Sequence, residues 1–274
     1  MTINCKGQLI DLSSPKVMGI LNITPNSFYD GGKFTNESEI VVQVDRMLSE
    51  GATFIDVGAY SSKPNAEFVS EDEEIGRIVP IVQLILKHYP NAIVSIDTFR
   101  AAVAQVALEH GAAMINDISA GSLDDAMFPV IAKYNVPYIM MHMRGTPQTM
   151  QRLTTYDDII KEMLYYFSEK VVKGRSLGIN DLIIDPGFGF AKTVDQNYEV
   201  LRQLELFQML ELPVLAGVSR KSMIYKTLGT NANGALNGTT FLHGFALSKG
   251  ATILRVHDVK EAVECVELYK KVKK

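Results

Sequence analysis

The sequence predicts an α/β protein, a TIM-type (β/α)8 barrel with a short N-terminal hairpin, as one domain over residues 1–274. Three observations predict it. Eight short apolar runs recur along the chain, at 17–23, 53–58, 93–97, 113–118, 137–142, 181–185, 213–219 and 251–257. They are dense in Ile, Val, Leu and Met with little alternation, as strands of a covered parallel sheet are. Each is followed by an amphipathic stretch, and strict β–α alternation at a spacing of about 30 residues favours closure into a barrel.

The connecting helices are predicted over 37–50, 71–88, 99–110, 124–134, 155–177, 194–209, 236–249 and 259–270. In the second of these, Ile75, Ile78, Val79, Val82 and Ile85 mark an apolar face at helical spacing. Gly51, Gly111, Gly178 and Gly250 follow helices and precede strands, which suits left-handed C-caps. Residues 3–12, with Lys6-Gly7 near their middle, read as a small hairpin that could plug the barrel bottom. An open doubly wound sheet is the architectural alternative, but neither GxGxxG nor GxxxxGK[ST] is present.

Composition narrows the function. Hydrophobic residues make up 47% and charged residues 21%, and the formal net charge is −4, which does not invite nucleic acid. Cys5 and Cys265 have no zinc-ligand spacing and suit a reducing compartment. The segment 1–14 is too polar for a signal peptide, and no apolar run approaches a membrane span. The expected location is the cytoplasm.

Polar residues gather where the strands end, and in a barrel these ends surround the active site. The eight runs lead into Asn22, Asp56, Ser95 and Asp97, Asn116 and Asp117, His142 and Arg144, Asp185, Ser219 to Ser222, and Arg255 with His257. A single Asp or Asn there can be only a helix cap, Asp117 and Asp258 included. Recurrence at every strand instead argues for a polar pocket. Ionised Asp accepts paired N–H groups from a guanidine-like edge, so carboxylates and amides suit a nitrogen-rich heterocycle. Lys221, Arg255 and His257 suit a phosphate or pyrophosphate. The loops after the first two strands are long and rich in Gly, Ser, Pro and Asn, as functional loops are.

At these residues the chain resembles the dihydropteroate synthase family. The matching stretches are MGILNITPNSFYDGG, SIDTFRA, INDIS, MHMRGTPQTMQ, DPGFGFAKT, GVSRKSMI and RVHDV, running in the family's order from residue 18 to 259. The resemblance implies condensation of 6-hydroxymethyl-7,8-dihydropterin pyrophosphate with 4-aminobenzoate, giving dihydropteroate and pyrophosphate in folate synthesis. It assigns the catalytic work to Asn22, Lys221, Arg255 and His257, with Asn22 on a Mg²⁺ ion carried by the substrate. Ser62, Asp97, Asn116, Asp185, Lys221, Arg255 and His257 would bind the pterin pyrophosphate. Phe28, Ser62, Lys63, Pro64, Phe190 and Ser222 would line the aminobenzoate site, which sulfonamides mimic. His142 and Arg144 are left as either structural or loop-steadying. A homodimer is also implied.

The second loop departs from the family's common DIGGESTRPGA. Here Ala59, Tyr60, Ser62, Lys63 and Asn65 stand where that pattern has Gly, Glu, Thr, Arg and Gly. Lys63 keeps the charge but not the planar fork. Asn26 replaces an Asp in the first loop. The alternative enzyme reading is a pterin-binding methyltransferase barrel using methyltetrahydrofolate. A non-catalytic pterin binder and a phosphate-sugar isomerase barrel are the other rivals.

Overall fold

The computed structural model describes residues 1–23, 37–60 and 69–273. The chain opens with an antiparallel hairpin, β1 (Thr2–Cys5) and β2 (Gln8–Asp11). Its turn residues Lys6 and Gly7 have φ of 53° and 89°, the left-handed pair that a two-residue hairpin turn requires.

Eight parallel strands follow: β3 (Lys16–Asn22), β4 (Phe54–Gly58), β5 (Ile93–Asp97), β6 (Met114–Asp117), β7 (Tyr138–Met141), β8 (Leu182–Asp185), β9 (Leu215–Ala216) and β10 (Ile253–Val256). The sheet order is β8-β7-β6-β5-β4-β3-β10-β9. A parallel bridge between Ile184 and Val214 joins its two edges and closes the barrel. Closure removes the exposed strand edges that an open sheet would leave.

The helices described are α1 (Glu37–Ser49), α2 (Glu71–His88), α3 (Ala101–Glu109), α4 (Met127–Tyr134), α5 (Ile159–Ser176), α6 (Val194–Arg202), α7 (Ser222–Thr227), α8 (Leu236–Ser248) and α9 (Val259–Val272). Ser70 caps α2 through the amide of Glu73, and a capping box of Thr193 and Gln196 starts α6. All four glycines expected after helices have positive φ, between 80° and 110°. Among the described residues, no helix is long and apolar enough to cross a membrane.

Three expectations are corrected. The strand expected over 213–219 is only β9 (Leu215–Ala216), because the chain leaves the ladder at Gly217 and turns through Arg220 at φ 53°. The helix expected over 194–209 stops at Arg202 and continues as a 3-10 segment, Leu204–Leu210. The six-residue α7 is too short to give a periodic signal and went unpredicted.

Strand pleating then decides what faces inward. Met18, Phe54, Ile93, Met114, Ile139, Ile183, Leu215 and Ile253 form one buried cluster in the barrel interior with Ile3, Cys5, Ile10 and Leu12 of the hairpin. The hairpin therefore does plug the bottom, and the Asn4 amide donates to Asp181 at 2.9 Å to fasten it. Side chains two residues further along each strand face the same way. Two residues beyond that apolar layer stand Asp56, Ser95, Asn116, Met141, Asp185, Gly217 and Arg255. With Ile20 on β3 as the eighth position, five of the eight are polar, so the inner wall turns largely polar in one step, and that step begins the site.

Candidate active site

The centre of the upper layer is Arg255. Its Nε donates to Asp56 Oδ2 at 2.6 Å, and one terminal nitrogen donates to Asp97 Oδ2 at 2.6 Å. Asn116 Nδ2 donates to the same Asp56 oxygen at 3.0 Å. Arg255 thus bridges strands β4 and β5 from β10, and Asp56 ties in β6. Asp56 is fully buried, and its other oxygen, like the buried Ser95 hydroxyl beside it, has no hydrogen-bond partner among the described residues. Ion pairs buried this far are costly in desolvation and add little stability over apolar residues of the same volume. Their value here lies in fixing the guanidinium.

Asp97 lies one turn of the pleat higher and is accessible from the barrel mouth. A Cβ on Gly58 would come within 3.3 Å of Asp97 Cβ, so glycine there leaves room for the carboxylate. Burial pushes the Asp97 carboxyl up to about 7, with Asp56 adding to the effect and Arg255 opposing it. Asp185 is also raised by burial, against the pull of Lys221 and a hydrogen bond from the Gly187 amide at 2.7 Å.

The cationic side comes from the last two strands. Lys221 sits at the start of α7, donates to the Phe188 carbonyl and lies 4.9 Å from the Phe190 ring centroid. Burial and the nearby Arg255 lower its pKa to about 8, while Asp185 holds it up. Arg220 points away, paired through two nitrogens with Asp258 at 2.8 Å each and bonded to the carbonyls of Ala232 and Asn233. This hold keeps Arg220 in the left-handed region and turns Lys221 inward.

His257 meets Ser219 twice: its amide donates to Ser219 Oγ at 3.2 Å, and its Nδ1 lies 3.0 Å from the same oxygen. Since Oγ accepts from the amide, its proton is free to go to Nδ1. That leaves Nε2–H to donate outward. Desolvation and the Arg255 charge push the His257 pKa down to about 4, so the ring is a neutral donor at pH 7.

Asn22, at the end of β3 beside Gly58, is exposed on the rim. Phe190 packs with Phe99 against Ile118, Met141, Met143, Met150 and Ala191, forming an apolar lip. Ser222 is half-buried as the first residue of α7. Phe28, Ser62, Lys63 and Pro64 lie outside the described residues, as does Asn26. Of the divergent second loop, Tyr60 is placed: its ring meets Phe99 edge-on at 5.2 Å, the Arg100 guanidinium covers it at 5.3 Å, and Gln148 Nε2 donates to its hydroxyl at 3.2 Å.

Several polar strand ends face the other way. Asp117 accepts from the Ser119 and Gly121 amides, the Ser119 hydroxyl and Tyr138 Oη, so it caps a turn and lines no pocket. Asp258 holds Arg220. Arg144 pairs with Glu162 and covers the Tyr156 ring at 3.8 Å. His142 is buried among Tyr156, Tyr166 and Phe167. Asp56, by contrast, is named in the sequence reading only as one of the polar strand ends, with no role of its own. Its two-residue offset from Phe54 on β4 is the signal that places it on the inner wall.

A family model described as "Pterin binding enzyme" matches residues 18–257. The dihydropteroate synthase of Escherichia coli K12 is 40% identical over 270 residues, covering 98% of this chain and 95% of that one. The Synechocystis enzyme is 46% identical over 247 residues, covering 89% and 85%. This chain belongs to the dihydropteroate synthase family. The structure of the Yersinia pestis dihydropteroate synthase with a sulfonamide drug complex superposes with a TM-score of 0.93 at 39% identity, covering 100% of this chain and 99% of that one. The Xanthomonas albilineans synthase with 4-aminobenzoic acid gives 0.90 at 34% identity, covering 99% and 98%. As a dihydropteroate synthase the chain is a transferase, and the barrel with its N-terminal hairpin is the family's fold in this sequence.

The raised Asp97 carboxyl makes a pH test. If Asp97 accepts pterin N–H groups as a carboxylate, it loses that form as pH falls through about 7. Pterin affinity, followed by calorimetry, is expected to drop about tenfold from pH 8 to pH 6, and Asp97→Asn is expected to bind weakly at both. Equal affinity at the two pH values in the unmodified protein contradicts the assignment.

Proposed function

We propose that this dihydropteroate synthase binds the pterin by Asp97, Asn116 and Asp185 and its pyrophosphate by Lys221, Arg255 and His257. The observation that carries this reading is the sorting of the barrel mouth. Carboxylates and an amide stand on β5, β6 and β8, and the cations and the His257 donor stand on β10 and the turn after β9.

The chemistry is a substitution at the methylene carbon attached to the pterin. The C–O bond to pyrophosphate breaks, and the lone pair of the aromatic amine forms the new C–N bond. The amine then loses a proton to solvent or to the departing anion. The dihydropterin spreads positive charge from that carbon, and ionised Asp97 and Asp185 lie where they favour it. Arg255, the Nε2–H of His257 and Lys221 meet the charge that collects on the leaving oxygens. No side chain is needed as a covalent nucleophile, because an aniline-type amine is already neutral at pH 7. Positioning and electrostatics therefore carry the rate.

Magnesium would enter as a companion of the pyrophosphate. Among the described residues no group of three or more His, Cys, Asp or Glu side chains could hold a metal by itself. A single rim amide, Asn22, fits an ion that rides on substrate phosphates and keeps most of its waters. When bound, that ion supplies further charge neutralisation at the leaving group.

Phe190 and Ser222 frame the aminobenzoate side together with Lys221, and Phe28, Ser62, Lys63 and Pro64 are assigned there by the family pattern. Two free cysteines, Cys5 and Cys265, suit the cytoplasm. A homodimer through the barrel helices is supported by Phe241 on α8 and Leu268 on α9, which are 72% and 69% exposed on neighbouring helices. Sedimentation velocity is expected to show a dimer at micromolar concentration, and a monomer there removes that part of the proposal.

The direct test supplies dihydropterin pyrophosphate with and without 4-aminobenzoate and follows both pyrophosphate and dihydropteroate. Dihydropteroate is expected to form in step with pyrophosphate. Pyrophosphate release that never yields dihydropteroate contradicts the reading. In Asp185→Asn, pterin affinity is expected to fall about 10- to 100-fold, the worth of a charged hydrogen bond. Calorimetry showing wild-type pterin affinity in that variant overturns the role of Asp185.

A further inference from the structure

Lys192 carries a buried amine that the proposed chemistry does not use. It is 5% exposed, and no carboxylate receives its Nζ among the described residues. Its hydrogen-bond partners are instead the Gly187 carbonyl, the Phe190 carbonyl and His142 Nδ1, each at 3.1 Å. A methionine would fill similar space without the cost of desolvating an amine. The amine's distinguishing property is that it can grip several acceptors at once.

The segment it grips is unfavourable on its own. Gly187, Gly189 and Ala191 have φ of 68°, 84° and 47°, so three of five consecutive residues are left-handed. A Cβ on Gly187 would collide with the His142 carbonyl. Backbone of this kind persists only where its surroundings over-determine it. Here the Gly189 amide donates to Asn197 Oδ1 at 2.6 Å, and Lys192 ties both ends of the arch. The arch in turn supplies the Phe188 carbonyl to Lys221 and the Phe190 ring beneath it. His142 completes the seat from outside the barrel, its ring wedged edge-on against Tyr166 at 5.0 Å.

We propose that Lys192 is a positioning residue for the aminobenzoate side of the site, its amine holding the arch 187–190 so that Phe190 and Lys221 keep their mutual placement. This rests on the synthase reading above. Lys192 touches neither substrate and acts through Phe190 and the Phe188 carbonyl. The arch reaches the pterin side through the Gly187 amide on Asp185 and through Lys221, but Asp97, Asn116 and Arg255 stand on β5, β6 and β10 away from it, so the pterin side is affected less.

The test is steady-state kinetics of the wild-type chain, Lys192→Met and His142→Leu with both substrates, with pterin affinity measured separately by calorimetry. Lys192→Met is expected to raise the KM for 4-aminobenzoate about tenfold or more and to lower kcat, with pterin affinity within about threefold of wild type. His142→Leu, which removes one of the three contacts, is expected to move the same constant in the same direction by less. Wild-type KM for aminobenzoate in Lys192→Met, or an equal loss on both substrates, overturns the proposal whatever happens to the melting temperature. If Lys192→Met does not fold, an unchanged aminobenzoate KM in His142→Leu overturns it. A wild-type chain that forms no dihydropteroate defeats the synthase reading instead, so the two failures are distinct.

Discussion

A guanidinium in the mouth of this barrel has little water around it, and the carboxylates on either side determine where it can go. Arg255 reaches from β10 to Asp56 on β4 and Asp97 on β5, and Asn116 on β6 closes on the same Asp56 oxygen. Four strands are thereby tied at the level where the inner wall turns polar. Removing either partner of such a pair leaves a buried charge exposed to its own desolvation cost. The geometry of the pocket is therefore held by the same groups that give it its charge pattern. The pocket can be rigid before a ligand arrives, which is what electrostatic preorganisation requires.

The rest of the mouth follows from that fixed centre. With Arg255 anchored, Asp97 is left accessible at the mouth and Asp185 stands buried at the end of β8, the two carboxylates proposed to meet a heterocycle's N–H edge. Lys221 and His257 stand above on the turn after β9 and the end of β10. Their orientation depends on neighbours: Arg220 is locked to Asp258, and Ser219 fixes the tautomer of His257. Strain collects in the same places, at Arg220 and along the arch 187–191. Both strained segments carry groups that must face the pocket against the local preference of the backbone.

Much of this was legible in the sequence, and the reason is periodicity. Alternating apolar runs and amphipathic stretches gave the barrel, and polar strand ends gave the rim. The limit of that reading is that a rim position does not say which way a side chain points. Asn116 and Asp117 are adjacent and equally polar, yet only Asn116 faces inward, because it stands two residues beyond Met114 of the apolar plug. The same count places Asp56 inside and His142 outside. The fully buried Asp56 is legible as a polar strand end but not as the anchor of Arg255, because its partner lies 199 residues away. Lys192 is hidden for a different reason: two of its three partners are backbone carbonyls, which have no sequence signature, and the third is His142, fifty residues away. The short strand β9 and the six-residue α7 lie below the length at which a period can be counted. Divergence in the second loop was legible as a change of residue types, and the structure gives one of its consequences. Tyr60 joins an aromatic group with Phe99 and Arg100 where the family often has a carboxylate.

The central claim is that Asp56 serves the pterin pocket through Arg255, and a double-mutant cycle addresses it most directly. Affinity for dihydropterin pyrophosphate would be measured by calorimetry in Asp56→Asn, Arg255→Met and the double variant. If Asp56 acts by holding Arg255, the double variant binds about as well as Arg255→Met alone, and the two single losses exceed the double loss by about tenfold or more. Losses that simply add would contradict the account, since they would mean that the two residues reach the pterin independently.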